Sequence, residues 1–120
     1  MTPPTWDWAR FKGTPQALKY ARRDLPCLDA VVARVPGRTA VVQAGGSLGV
    51  FPKRLAQSFA TVYTFEPALD VFRMMVANAP EQNIVRFQAA LGDSRGLVGL
   101  SRSRRKTPKI GIEHEGLTHV

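Results

Sequence analysis

The chain has 120 residues, 44% of them hydrophobic, and a formal charge of +8. That length suits one domain with a buried core, whereas a complete doubly wound sheet, at ~30 residues for each βαβ unit, needs more chain. The single cysteine excludes an internal disulfide and has no metal-ligand spacing around it. No apolar run approaches the ~18 residues of a membrane span and no signal-peptide stretch is present, so a soluble, cytoplasmic protein is expected.

In chain order, residues 1–13 read as an irregular start, with Trp6, Trp8 and Phe11 as a cover over part of the core. Thr14 is an N-cap with Pro15 in the first helical position, which predicts a helix to about Arg23. Asp24 and Pro26 repeat that arrangement and predict a second helix, with Leu28, Val31, Val32 and Val35 at helical spacing and Pro36-Gly37 as its stop. Cys27 is expected to be a small buried residue.

From Thr39 the pattern becomes β-α alternation. A strand is expected over 40–44, then a helix over about 48–59 with Leu48, Phe51, Leu55 and Phe59 inward. Pro52 is tolerable there in the first turn. A strand over 61–65 runs into Glu66-Pro67, and a helix over about 68–78 presents Leu69, Phe72, Met75 and Val76. A strand over 84–90 leads to Leu91-Gly92-Asp93, a short strand is expected near Leu97–Ser101, and Ile110 and Ile112 hint at one more. The expected fold class is α/β: a partial Rossmann-like, doubly wound parallel sheet of about three β-α units, with N-terminal helices and an irregular basic tail. Three regions follow: a cover segment and helices over 1–37, a half-domain over 38–100, and a weakly structured tail over 101–120.

The chemistry gathers where the first strand breaks into Gly45-Gly46-Ser47-Leu48-Gly49. Glycines let a backbone turn tightly and approach a ligand closely, because no Cβ blocks it. Glu66 ends the next strand about twenty residues on, where a carboxylate can accept both hydroxyls of a ribose. Strand, glycine turn, helix and strand ending in an acid predict a site for an adenosine-containing cofactor. The turn by itself fits two templates. One is G-x-G-x-x-G of dinucleotide sites with Ala44 in the first place; the other is the first motif of class I methyltransferases.

The wider pattern, Val41 to Phe51, then Phe65-Glu66-Pro67, then Asn78, then Ala90-Leu91-Gly92-Asp93, resembles the FkbM family of methyltransferases over about residues 38–100. The resemblance implies S-adenosylmethionine as cofactor and methyl transfer to a hydroxyl oxygen of a small molecule or glycan. By the same resemblance Gly45, Gly46 and Gly49 would line the cofactor, Gln43 and Ser47 would contact it, Glu66 would hold the ribose hydroxyls, and Asp93 would sit near the adenine amino group. Gln43 stands where the family usually carries an acid, and Ser47 where it usually carries asparagine. Gln43 can hydrogen-bond the cofactor but brings no charge to the methionine ammonium. The chain is expected to be the N-terminal, cofactor-side half of such an enzyme, a fragment or truncated product, with no catalytic base identified.

Simpler roles stand beside these. Glu66 could be solvated or partner a helix N-terminus, and Asp93 could be turn chemistry. His114 and His119 read as surface residues, and Arg22-Arg23 as a wet helix face. The tail carries Arg102, Arg104, Arg105, Lys106 and Lys109 against Glu113 and Glu115. It could contact phosphates, but has no aromatic residue to stack on bases, so a solvated tail is favoured over a nucleic-acid site. The alternatives to an enzyme are a non-catalytic nucleotide- or SAM-binding module that needs a partner, and a small basic nucleic-acid-binding protein. A dehydrogenase leaves Phe65-Glu66-Pro67 and Ala90-Leu91-Gly92-Asp93 without a role. In an open sheet of this order the outer edge of strand 40–44 is left free, which predicts self-association or a partner chain there.

Overall fold

The computed structural model describes residues 5–102 and 110–113, and side chains up to Ser101. Arg104, Arg105, Lys106, Lys109, His114 and His119 lie outside the described residues. The chain divides into two compact units, residues 1–90 and 91–120.

The first unit is α/β. Its elements are α1 (Pro15–Arg34), β1 (Ala40–Ala44), α2 (Val50–Ala56), β2 (Thr61–Phe65), α3 (Leu69–Asn78) and β3 (Ile84–Phe87). The three strands form a parallel sheet in the order β1-β2-β3. Val41, Val62 and Ile84 point to one face, where they meet Val32 of α1, Leu55 and Phe59 at and after α2, and Ala79 after α3. Burial on this face supplies the main stabilisation, at about 1.5–3 kcal/mol for each large apolar side chain. On the opposite face Val42, Tyr63 and Val85 lie in register and are exposed, Val42 by 61%. Beside them Phe65 and Phe87 stack, with ring centroids 4.7 Å apart. No helix among the described residues is long and apolar enough to cross a membrane.

The two expected N-terminal helices are one. Thr14 caps α1 by accepting from the Ala17 N–H at 3.1 Å, and the helix then runs through Pro26 to Arg34. Pro26 has no N–H for the carbonyl four residues back, a cost of about 3 kcal/mol in a helix interior. Leu25 before it and Val32 after it are both buried, so a break at Pro26 would remove core contacts on one side. Asp24 is therefore a mid-helix residue rather than a cap. Val31 and Val35 are exposed, and so is Cys27, because the buried stripe runs through Leu25 and Val32 with Leu28 packed beside it.

Other elements differ at their ends. α2 starts at Val50 because Gly49, at φ +88°, cannot be helical, and Leu48 is buried in the turn instead. β3 stops at Phe87, since its partner β2 ends at Phe65 and the Glu66 N–H bonding to the Phe87 carbonyl closes the ladder. On α3 the inward residues are Met75 and Asn78, while Leu69 and Val76 are exposed. Trp6, Trp8 and Phe11 pack on one another, Arg22 lies over Trp8 and Lys53 over Trp6. Asn78 ties this segment down: its side chain accepts from the Lys12 N–H and donates to the carbonyls of Lys12 and Leu48.

The second unit contains β4 (Gly99–Arg102) and β5 (Ile110–Glu113), paired antiparallel with Leu100 opposite Ile112. The strand hinted at by Ile110 and Ile112 thus pairs with its neighbour in sequence.

Arg54 is the largest fully buried side chain among the described residues, 1% exposed, with Nε 2.6 Å from Asp29 and Nη1 2.9 Å from Ser58. It joins α2 to α1. Asp29→Ala is expected to cost about 1.5–3 kcal/mol, the scale of a hydrogen bond to a charged group. The denaturant midpoint measures it, and an unchanged midpoint would mean that the pair does not hold the helices together.

Candidate functional site

The glycine turn is fixed by the ends of two strands. The N–H groups of Gly45 and Gly46 both donate to the Phe65 carbonyl, at 2.9 and 2.8 Å. One residue on, Ser47 N–H donates to Glu66 Oε1 at 2.9 Å, and Ala68 N–H donates to Glu66 Oε2 at 3.1 Å. Glu66 is buried and holds the turn after β1 against the start of the β2–α3 connection. Gln43 works from the β1 side. Its Oε1 accepts from the Thr64 hydroxyl at 2.6 Å, and its Nε2 donates to the carbonyls of Ala44 and Gly45 at 3.0 and 2.9 Å.

The glycines are needed for different reasons. Gly45 has φ +76°, and no atom lies within 4 Å of where its Cβ would be. Its conformation disfavours a side chain, and the space where one would stand is open. Gly46 has no such freedom: a Cβ there would lie 2.6 Å from the Thr64 hydroxyl and against the Met75 sulfur. Gly49 packs against Ala79 and Met75 at the start of α2. Ser47 takes φ 48°, a left-handed conformation in which asparagine is the more usual non-glycine residue.

Between the turn and α1 lies a cavity of about 240 Å³, reached by Tyr20, Ala21 and Asp24 on one side and by Gly45, Ser47 and Phe51 on the other. Asp24 is its only charged lining residue. Arg23 bonds both oxygens of the Asp24 carboxylate, at 2.9 and 3.2 Å, and holds it below the usual carboxylate range. A carboxylate offers about four acceptor positions, so acceptor capacity remains.

Gln43, Gly45, Gly46, Ser47 and Glu66 are therefore one hydrogen-bonded assembly, with Gly49 at its helix side. Asp93 is exposed and belongs to the second unit. Sequence reasoning missed Asp24 as a wall of this site because Asp24-Leu25-Pro26 mimics a helix start. No group of three metal-ligating side chains occurs among the described residues. Compared with known proteins, the chain matches no family model and no curated protein.

The two central glycines should respond differently to alanine. Gly46→Ala is expected to cost roughly 1–3 kcal/mol through overpacking against the Thr64 hydroxyl and Met75, and Thr64→Ala, which removes that hydroxyl, or Met75→Ala should relieve part of it. Gly45→Ala carries only the left-handed penalty of roughly 1–2 kcal/mol, which no neighbour substitution relieves. Urea denaturation of the single and double variants separates the two cases.

Proposed function

We propose that the chain is the S-adenosylmethionine-binding portion of an FkbM-like O-methyltransferase, with the turn and Glu66 in a Rossmann-like half-site. The observation that carries this is how the turn uses its N–H groups. A pyrophosphate is held by free backbone N–H groups at a helix N-terminus. Here those of Gly45 and Gly46 go to Phe65, that of Ser47 to Glu66, and that of Gly49 to Gly46. With four of the N–H groups of Gly45–Gly49 taken up by the protein itself, the turn favours a cofactor without phosphates. Glu66 gives one position on each oxygen to an N–H and keeps others for the two hydroxyls of a ribose.

The bound cofactor would supply an electrophilic methyl group on a sulfonium, and the enzyme's contribution is to hold donor and acceptor in line. This chain's residues account for the donor: Glu66 for the ribose, and the open space at Gly45 for the passage of the methionine portion. The acceptor is proposed to be a small-molecule or glycan hydroxyl, and the location cytoplasmic.

Isothermal calorimetry tests the ligand class. S-adenosylhomocysteine, the demethylated product, is expected to bind more tightly than NAD, and tighter binding of NAD would overturn the proposal.

The exposed sheet face favours a second reading, in which the chain is a binding module completed by a partner. Parallel sheets are ordinarily covered on both faces, yet Val42, Tyr63, Val85 and Phe87 are exposed. Among the described residues no strand pairs with the outer edge of β1. Because Thr39 and Gly45 bond to β2, the backbone groups of Ala40 and Val42 turn outward. The expected result is self-association or capture of a partner strand along β1, seen in light scattering as a mass above one chain. A monomer whose residues 40–44 are strongly protected from hydrogen exchange would overturn it.

A further inference from the structure

Gln43 cannot meet a cation with charge, and its amide is already spent on Thr64, Ala44 and Gly45. Asp24 of α1 nevertheless lines the cavity beside the turn, its side chain 46% exposed and paired with Arg23. We propose that Asp24 binds the α-ammonium group of the cofactor's amino-acid end in the cavity between α1 and the glycine turn. This rests on the S-adenosylmethionine reading above and adds to it a binding residue and an orientation.

Three observations lead there. The cavity, at about 240 Å³, is smaller than the roughly 300–1,000 Å³ of sites that take a whole drug-sized ligand. It therefore suits one end of a long cofactor. Asp24 is the one charged residue among its lining, so it is the charged group a cation there would meet, alongside the Arg23 it already pairs with. Ser47 both lines the cavity and donates its N–H to Glu66, so the cavity and the Glu66 carboxylate adjoin the same residue of the turn. Arg23 leaves acceptor positions on Asp24 unfilled, and Asp24 is ionised at neutral pH with Arg23 beside it.

The experiment compares two ligands that differ only in the amino-acid end. S-adenosylhomocysteine carries the ammonium, and 5′-methylthioadenosine keeps the adenosine and the sulfur but lacks it. By calorimetry on the full chain, Asp24→Asn is expected to weaken S-adenosylhomocysteine about tenfold, the scale of one charge-assisted hydrogen bond, and to leave methylthioadenosine within about twofold. Retained methylthioadenosine binding also shows that the variant is folded. On the unaltered chain, the analogue of S-adenosylhomocysteine without its α-amino group should bind about tenfold more weakly than the parent. Equal binding of S-adenosylhomocysteine by both proteins would overturn the role of Asp24 while leaving the cofactor reading intact. Loss of both ligands in the variant would also overturn it, by showing that Asp24 supports the turn instead. Failure of the unaltered chain to bind either ligand would overturn the cofactor reading and this inference together.

Discussion

The carboxylate of Glu66 is the point on which the site depends. It is buried at the end of β2 and accepts one backbone N–H from the glycine turn and one from the start of the β2–α3 connection. A buried carboxylate without partners costs several kcal/mol, so the two N–H groups and the acid require one another. With the Phe65 carbonyl taking both Gly45 and Gly46, the end of β1 is fastened to the end of β2 before any ligand arrives. Preorganisation of that kind lowers the entropy that binding must overcome.

The same geometry separates two origins of a glycine-rich signature. At Gly46 the missing side chain is replaced by the protein's own Thr64 and Met75, so packing alone would demand glycine there. At Gly45 the backbone conformation demands it and nothing fills the space. Of the two, only Gly45 leaves open space where a side chain would stand. A glycine pattern read from sequence merges these cases, and a turn with this spacing could be retained for packing after any binding role had gone.

Sequence was most informative where one local rule acted without competition. β1 and β2 are short runs rich in β-branched residues, stopped by Gly45 and by Glu66-Pro67, and both have the expected limits. β3 was overextended because a strand's length depends on its partner, and β2 is only five residues long. Pro26 suggested a helix boundary because the local penalty is visible in sequence, while the compensating burial of Leu25 and Val32 is tertiary. Arg54 gave no signal at all. Arginine ordinarily marks a solvated face, and its partner Asp29 lies on another helix, 25 residues away. Within the site, the grouping of the turn with Glu66 was legible from spacing, but the hydrogen bonds that occupy Gln43 and the contribution of α1 were not. Both depend on how β2 and α1 meet the turn in space.

The strands themselves carry more apolar surface than this sheet covers. Val41 and Val42 are adjacent, so one must face away from α1 and α2, and the same holds for Val62 and Tyr63 and for Ile84 and Val85. Near-continuous apolar strands are the signature of parallel sheets covered on both faces, and β1 also turns unpaired backbone groups outward. Both demands fall on the strand that ends in Gly45. Whatever covers Val42 or pairs with Ala40 would also restrict the turn and the wall of the cavity that Asp24 shares. Were another chain to complete the sheet there, its binding and a ligand's at the turn would be coupled through β1. By linkage, the stabilisation that one gives the other must be equal in both directions.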